Sequence, residues 1–204
     1  RMAVALRFLA PRKSDLVLDA GCGRGDLAAE IAPLCQTIQA VDIAPNALDV
    51  HLLGISNLKF HAMNLESLDF PNEHFDAIVC VETLEHVLHP ELAITELARV
   101  LKRGGRLVLT YPTINRTIVK RMRLTPSIPV SEHLTEWSHR ELERVTKSAG
   151  LITRQIEGIA FDWGPFLALK SINRFFALAI THAGLALRRA PSNSMFVAFE
   201  FQKA

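Results

Sequence analysis

Cysteine is scarce in this chain. Cys22, Cys35 and Cys80 are widely spaced and odd in number, which gives neither a disulfide framework nor a zinc-ligand spacing. A reducing compartment, the cytoplasm, is therefore the expectation. Charge of one sign is scarce too. A net charge of +2 is too small to imply a nucleic-acid partner by itself. No uninterrupted apolar run reaches the ~20 residues that a membrane-spanning helix needs. No secretory signal pattern follows Arg1, and neither an internal repeat nor a low-complexity linker is visible. These absences leave one ordinary globular domain over residues 1–204, long enough to bury a substantial core.

What is present is an alternation. Leu16–Ala20 (LVLDA), Ile38–Ile43 (IQAVDI), Leu58–His61 (LKFH), Phe75–Val81 (FDAIVCV) and Arg106–Tyr111 (RLVLTY) read as strands. Helix candidates lie near 25–35, 45–53 and 90–102, and Lys102-Arg103-Gly104-Gly105 reads as the end of the last of these. Ser138–Ala149 reads as a further helix stopped by Gly150, and Met195–Lys203 as a closing strand. Strand–helix alternation predicts an α/β fold: a doubly wound, mostly parallel sheet of about seven strands with helices on both faces and the last strand antiparallel.

Leu16–Gly25, LVLDAGCGRG, is a strand running into a glycine-rich turn and then a helix. Gly21, Gly23 and Gly25 can take backbone angles closed to other residues and let a ligand approach the main chain. The spacing is G-x-G-x-G, not the dinucleotide G-x-G-x-x-G. Asp42 ends the next strand, about 20 residues on, where a carboxylate can accept both hydroxyls of a ribose. The plainer alternative makes Asp42 a helix N-terminal carboxylate or a charge beside the Ala44-Pro45-Asn46 turn.

The segment Val81–Val87, VETLEHV, brings two carboxylates and an imidazole together just after an apolar strand. If a helix begins soon after Val81, Glu82 and His86 are i and i+4, and Glu82 and Glu85 are i and i+3. All three then converge at the mouth of the sheet, where open α/β sheets bind ligands. Two carboxylates and an imidazole suit Mg²⁺, Mn²⁺, Fe²⁺ or Zn²⁺, and the sequence does not choose among them. The plainer reading makes Glu82 a cofactor contact, Glu85 a helix N-terminal carboxylate and His86 an interior histidine.

Four motifs in order, VLDAGCGRG, VDIAPNAL, NLESLDFPNEHFDAIVCVETLEHV and ELARVLKRGGRLVLTYP, make the chain resemble the class I S-adenosylmethionine-dependent methyltransferases, a Rossmann-like fold. The resemblance implies S-adenosyl-L-methionine as cofactor. It places Asp19, Gly21, Gly23 and Val81 at the cofactor, Asp42 on the ribose hydroxyls, and Ile43 and Leu65 against the adenine. Asn64 stands where the family usually has an aspartate facing the adenine amino group; an amide oxygen can still accept that bond. Within the family, the ubiquinone-biosynthesis O-methyltransferases and the small-RNA 3′-terminal ribose 2′-O-methyltransferases share Glu-x-x-Glu-His and a later histidine. In the RNA enzymes these four residues hold a divalent ion. The resemblance thus implies Glu82, Glu85, His86 and His133 as ligands of Mg²⁺, Mn²⁺ or Zn²⁺. Without a metal, His133, with His86 and Glu82, is the catalytic candidate, and a histidine near neutral pKa acts as base. Either route favours methylation of an oxygen on a small, partly apolar acceptor.

Substrate-side insertions are expected near 112–137 and 159–194. The run NRTIVKRMR (115–123) is cationic and reads as a solvated face or an anion-facing one. Residues 165–190 carry apolar side chains at helical spacing and cations largely on another face. That amphipathic helix packs on the domain, joins a second subunit as a homodimer, or makes a membrane-peripheral contact. Trp137 and Trp163 are candidates for lining an apolar pocket, or for core packing. Two other functions stay open: RNA 3′-end methylation, against which the modest charge and the lack of a separate RNA-binding domain count, and an inactive cofactor-binding partner subunit.

Overall fold

The computed structural model describes residues 1–44, 49, 52, 54–112, 134, 135, 137–159 and 196–204. Seven strands form one sheet: β1 (Leu16–Ala20), β2 (Thr37–Asp42), β3 (Leu58–Ala62), β4 (Phe75–Val81), β5 (Leu101–Pro112), β6 (Leu151–Ile159) and β7 (Phe196–Lys203). Their order is β3-β2-β1-β4-β5-β7-β6. The first five run parallel, and β7 lies antiparallel between β5 and β6. The expected doubly wound sheet is thus observed. The direction of winding reverses between β1 and β4, which opens a crevice past their carboxyl ends.

Side chains alternate across each strand, so the two faces carry separate cores. Leu18, Ile78, Cys80, Leu107, Leu109, Phe199 and Phe201 pack on one face with Ile94 and Leu97 of α3 (Pro90–Val100) and Leu142 of α4 (His139–Ser148). Val17, Ile38, Ala77, Val79 and Val108 pack on the other with Phe8 and Leu9 of α1 (Met2–Leu9) and Leu27 and Ile31 of α2 (Asp26–Ile31). Central strands buried on both faces explain why β4 and the end of β5 read as continuous apolar runs.

Several boundaries differ from expectation. Helix α1 carries no cap signal and follows no strand, and the sequence pattern did not reveal it. The helix expected over 25–35 stops at Ile31, where Pro33 belongs to a short 3₁₀ turn, Ala32–Leu34. Lys102–Gly105 does not end α3; that helix ends at Val100 and β5 begins at Leu101. Lys102 is instead paired with Asp76 at 2.7 Å and Arg103 with Glu73 at 3.3 Å. Arg106 is paired with Asp15 at 2.5 Å. Arg99 donates to the Phe70 and Leu68 carbonyls, each at 2.8 Å, and grips Glu96, fixing the 68–72 loop. Arg99, Lys102, Arg103 and Arg106 are therefore all paired within the domain. Most of the expected 45–53 helix, the 115–123 run, Trp163 and the 165–190 helix lie outside the described residues. Among the described residues no helix is long and apolar enough to cross a membrane.

Ser138 caps α4 with a capping box: its hydroxyl accepts from the Glu141 amide, and the Glu141 carboxylate accepts from the Ser138 amide at 2.7 Å. Just before it, the chain is tied to the sheet. The Tyr111 hydroxyl donates to the Thr135 carbonyl at 2.6 Å and accepts from the Trp137 amide at 3.1 Å. The Trp137 ring stacks on Tyr111 at 6.0 Å and packs against the first core. That is the core-packing alternative for Trp137.

Candidate functional site

The turn after β1 and the turn after β4 meet at the crevice. Gly21 has φ +78°, and a Cβ there would lie 2.1 Å from Thr83 Cγ2. Gly21 is therefore glycine for two reasons, backbone angle and the lack of any space. Gly23, at φ +53°, is different: nothing lies within 4 Å of its would-be Cβ. Its missing side chain opens main chain to solvent instead of accommodating a neighbour. The Gly21 and Cys22 amides donate to the Val41 carbonyl at 2.8 and 3.0 Å, which stitches the turn to the end of β2.

Asp42 completes that stitch. Its Oδ2 accepts from the Gly23 amide at 2.8 Å and its Oδ1 from the Ala44 amide at 2.9 Å. A carboxylate offers about four lone-pair sites, so about two remain for a ligand. The next residue, Ile43, is 72% exposed, an apolar surface standing beside a charged one. The Met63 amide donates to the Asp42 carbonyl at 3.0 Å, bringing the Asn64–Leu65 turn alongside. Asn64 is exposed, and its Oδ1 already accepts from the Glu66 amide at 2.9 Å. Leu65 turns into the first core and is buried.

Asp19, on β1 beneath the turn, is 2% exposed, and its Oδ2 has no hydrogen-bond partner. Burial, reinforced by the nearby Asp42 charge, raises its pKa from 3.8 to about 7.

The VETLEHV segment departs from the expected helix. Glu82 takes φ +50°, and only a 3₁₀ turn, Leu84–His86, follows before α3. The i, i+4 argument for Glu82 and His86 therefore fails, because Glu82 lies outside the turn and the chain folds sharply there. A left-handed non-glycine residue costs about 1–2 kcal/mol, so something must hold it. Thr110 of β5 does so: its hydroxyl accepts from the Glu82 amide at 3.2 Å and donates to Glu82 Oε1 at 2.7 Å. Glu82 Oε2 meets the Arg1 guanidinium at 2.6 Å. Val81 is half-buried, and its carbonyl accepts from the Thr83 hydroxyl at 3.0 Å.

Glu85 is 1% exposed and its Oε2 is unpartnered. Its pKa rises from 4.5 to about 8, chiefly through burial, with the Glu82 charge adding to the rise. The Glu85 carbonyl accepts from the Leu134 and Thr135 amides at 2.8 and 3.3 Å. His86 is exposed. Among the described residues no three His, Cys, Asp or Glu side chains gather as a cation-holding group; His133 lies outside the described residues. Sequence reading missed Thr83, Thr110 and Tyr111. The one available signal was the pair of hydroxyls, Thr110 and Tyr111, at the end of the apolar run LVLTYP.

The crevice is thus glycine-lined and acidic, with Asp19 and Asp42 on one side and Glu82 and Glu85 on the other. Clustered carboxylates favour a ligand carrying positive charge, and Asp42 beside an exposed isoleucine favours one carrying hydroxyls and a flat apolar ring.

A family profile described as a methyltransferase domain matches residues 1–156. The chain is 32% identical over 162 residues to a ubiquinone biosynthesis O-methyltransferase of Coxiella burnetii, covering 73% of this chain and 68% of that one. It is 34% identical over 163 residues to the enzyme of that name from a Chelativorans species, covering 72% of this chain and 62% of the relative. The chain spans 64% and 58% of two other relatives of that name, less than two thirds of their length. In fold, it matches an S-adenosylmethionine-dependent methyltransferase from Mesorhizobium loti with a TM-score of 0.70 at 14% identity, over 98% of this chain and 96% of that one.

Two outcomes follow from the geometry. Gly21→Ala is expected to cost about 2–4 kcal/mol, summing overpacking and left-handed strain, against about 1–2 for Gly23→Ala, where only strain applies. Urea denaturation of both variants reads this directly, and Thr83→Ala added to Gly21→Ala should recover part of the loss. The second concerns pH. Asp19 and Glu85 have folded pKa values raised to about 7 and about 8. Between the ordinary carboxylate values and these, the folded chain binds more protons than the unfolded one, so stability falls as pH rises. The ligand-free melting temperature should therefore drop from about pH 5 to about pH 8, with a flatter slope in Asp19→Asn/Glu85→Gln. An unchanged slope in that variant contradicts the assignment.

Proposed function

Since the chain belongs to the class I S-adenosylmethionine-dependent methyltransferases, we propose that it transfers the methyl group of S-adenosyl-L-methionine to an oxygen of a small, partly apolar acceptor. The observation that carries this is the acidic, glycine-lined crevice at the reversal point of the sheet. Asp42 binds the ribose hydroxyls with its spare lone pairs, Ile43 lies against the adenine, and Asn64 presents its amide to the adenine edge. Leu65 closes that side from the core. The open backbone at Gly23 receives the amino-acid part of the cofactor, with Asp19 and Glu82 supplying negative charge for its ammonium and sulfonium groups.

The sulfonium methyl is already activated, so the protein's tasks are alignment and deprotonation. The acceptor oxygen attacks in line, the O–CH₃ bond forming as the S–CH₃ bond breaks, and neutral S-adenosylhomocysteine leaves. The acceptor proton goes to a base, for which we propose His133. In support, Leu134, next in sequence, is bonded to the Glu85 carbonyl. The relatives' names support oxygen as the acceptor atom.

One observation favours a second reading in which a divalent ion assists. Glu85 Oε2 is buried and orphaned near the Glu82 charge, and a cation would satisfy it. Glu85, with Glu82, His86 and His133, would hold Mg²⁺, Mn²⁺ or Zn²⁺, which lowers the pKa of a bound hydroxyl. The described residues alone do not form such a site, and no step above is routed through the ion.

Calorimetric titration with S-adenosylhomocysteine tests the main reading. One-to-one binding is expected, weakened at least about tenfold by Asp42→Ala, the loss of a bidentate ribose contact. Absence of binding to the unaltered chain contradicts it. Titrating Mg²⁺, Mn²⁺ and Zn²⁺ into the saturated protein then tests the second reading: binding abolished by Glu85→Gln supports it, and no binding retires it.

A further inference from the structure

Thr110 is a buried hydroxyl, 1% exposed, at the carboxyl end of β5, paired in register with Val81. Its two hydrogen bonds go to the same residue. It accepts from the Glu82 amide at 3.2 Å and donates to Glu82 Oε1 at 2.7 Å. The Glu82 amide, at φ +50°, is shared between this hydroxyl and the Thr110 carbonyl at 3.4 Å, whereas the direction of the carboxylate is set by the hydroxyl. The other oxygen, Oε2, is turned outward and carries a guanidinium, that of Arg1, at 2.6 Å. Arg1 is half-exposed there, so this ion pair is open to exchange with another cation in water. Next along the chain, Thr83 is locked against Gly21. The preset carboxylate thus stands beside the contact between the turns that follow β1 and β4.

We infer that Thr110 is a positioning residue, whose hydroxyl presents Glu82 Oε2 as the acceptor of a cation beside that contact. The inference rests on the methyltransferase reading and deepens it. The cation's source is the cofactor's α-ammonium group or a divalent ion, and the two are separable by experiment. Without the Thr110 hydroxyl the Glu82 carboxylate would be free to rotate, while its amide would keep the Thr110 carbonyl. With Thr110 in place the carboxylate is oriented before the ligand arrives, so less ordering is needed on binding.

The test compares the unaltered chain with Thr110→Ser, Thr110→Val and Glu82→Gln. Three probes are titrated: S-adenosylhomocysteine, 5′-methylthioadenosine, which lacks the amino-acid part, and Mn²⁺. Thr110→Ser keeps the hydroxyl and should bind all three within about twofold of the unaltered chain. Thr110→Val keeps the shape and β-propensity but not the hydroxyl. It should weaken S-adenosylhomocysteine about tenfold if Glu82 takes the ammonium, or Mn²⁺ about tenfold if it takes the ion, a factor equivalent to one charge-assisted hydrogen bond. Methylthioadenosine, which presents neither cation, should be unaffected. Glu82→Gln should show the same selectivity, and the Thr110→Val/Glu82→Gln pair should lose little more than either single variant. If Thr110→Val fails to fold, Thr110→Ala stands in its place. Three results overturn the inference: unchanged binding of both cationic probes in Thr110→Val, an equal loss for methylthioadenosine, or additive losses in the double variant. Failure of the unaltered chain to bind either nucleoside overturns the methyltransferase reading itself, a distinct outcome.

Discussion

The close approach of Gly21 to Thr83 is the constraint from which the site follows. Two turns, each leaving a parallel strand at the reversal point of the sheet, touch with no space for a single Cβ. Parallel β1 and β4 are held side by side by their register, so their turns must leave the sheet on adjacent paths. Glycine at position 21 lets them do so without spreading the strands. The turn is then free to swing Gly23 outward and to hang its amide on Asp42. The cofactor side of the crevice is thus shaped by a packing contact on one flank and a charge-assisted hydrogen bond on the other.

The same crevice concentrates cost. Asp19 and Glu85 are buried with an orphaned oxygen each, and Glu82 sits in a backbone region that suits glycine. A stable scaffold tolerates such features when the surrounding structure over-determines them. Here the surroundings do. Both faces of the sheet are packed, Arg99 ties down the 68–72 loop, and Tyr111 pins the chain at Thr135 and Trp137. Ala10 and Glu73 are left-handed elsewhere, but Glu82 lies just past the carboxyl end of β4, where ligands bind in this architecture. Burial raises the pKa of both orphaned carboxyls, and a cationic ligand opposes that rise.

Much of this was legible in the sequence because its causes are local. Strand period, the G-x-G-x-G turn and the spacing to Asp42 depend on residues close together in the chain. The α/β class, five of the strands, the capped helix after Ser138 and the antiparallel closing strand are read from such patterns. The rest depends on contacts between distant segments. Nothing in VETLEHV announces that Glu82 turns left-handed, because the hydroxyl that holds it belongs to Thr110, on another strand. The division of labour between Gly21 and Gly23 is invisible without Thr83. Lys102–Gly105 carries a sound helix-stop pattern, yet the chain there is an irregularity of β5, held between the Phe75–Leu101 and Ala77–Arg106 pairs with β4.

The central claim is that one crevice, bounded by Asp42 on one side and Glu82 on the other, seats the methyl donor. A crystal structure of the chain with S-adenosylhomocysteine tests this most directly. The account predicts the ribose hydroxyls within hydrogen-bonding distance of the Asp42 carboxylate, the adenine against Ile43, and the amino-acid tail over Gly23 beside Glu82. A ligand seated elsewhere, or one whose ribose makes no contact with Asp42, would contradict it.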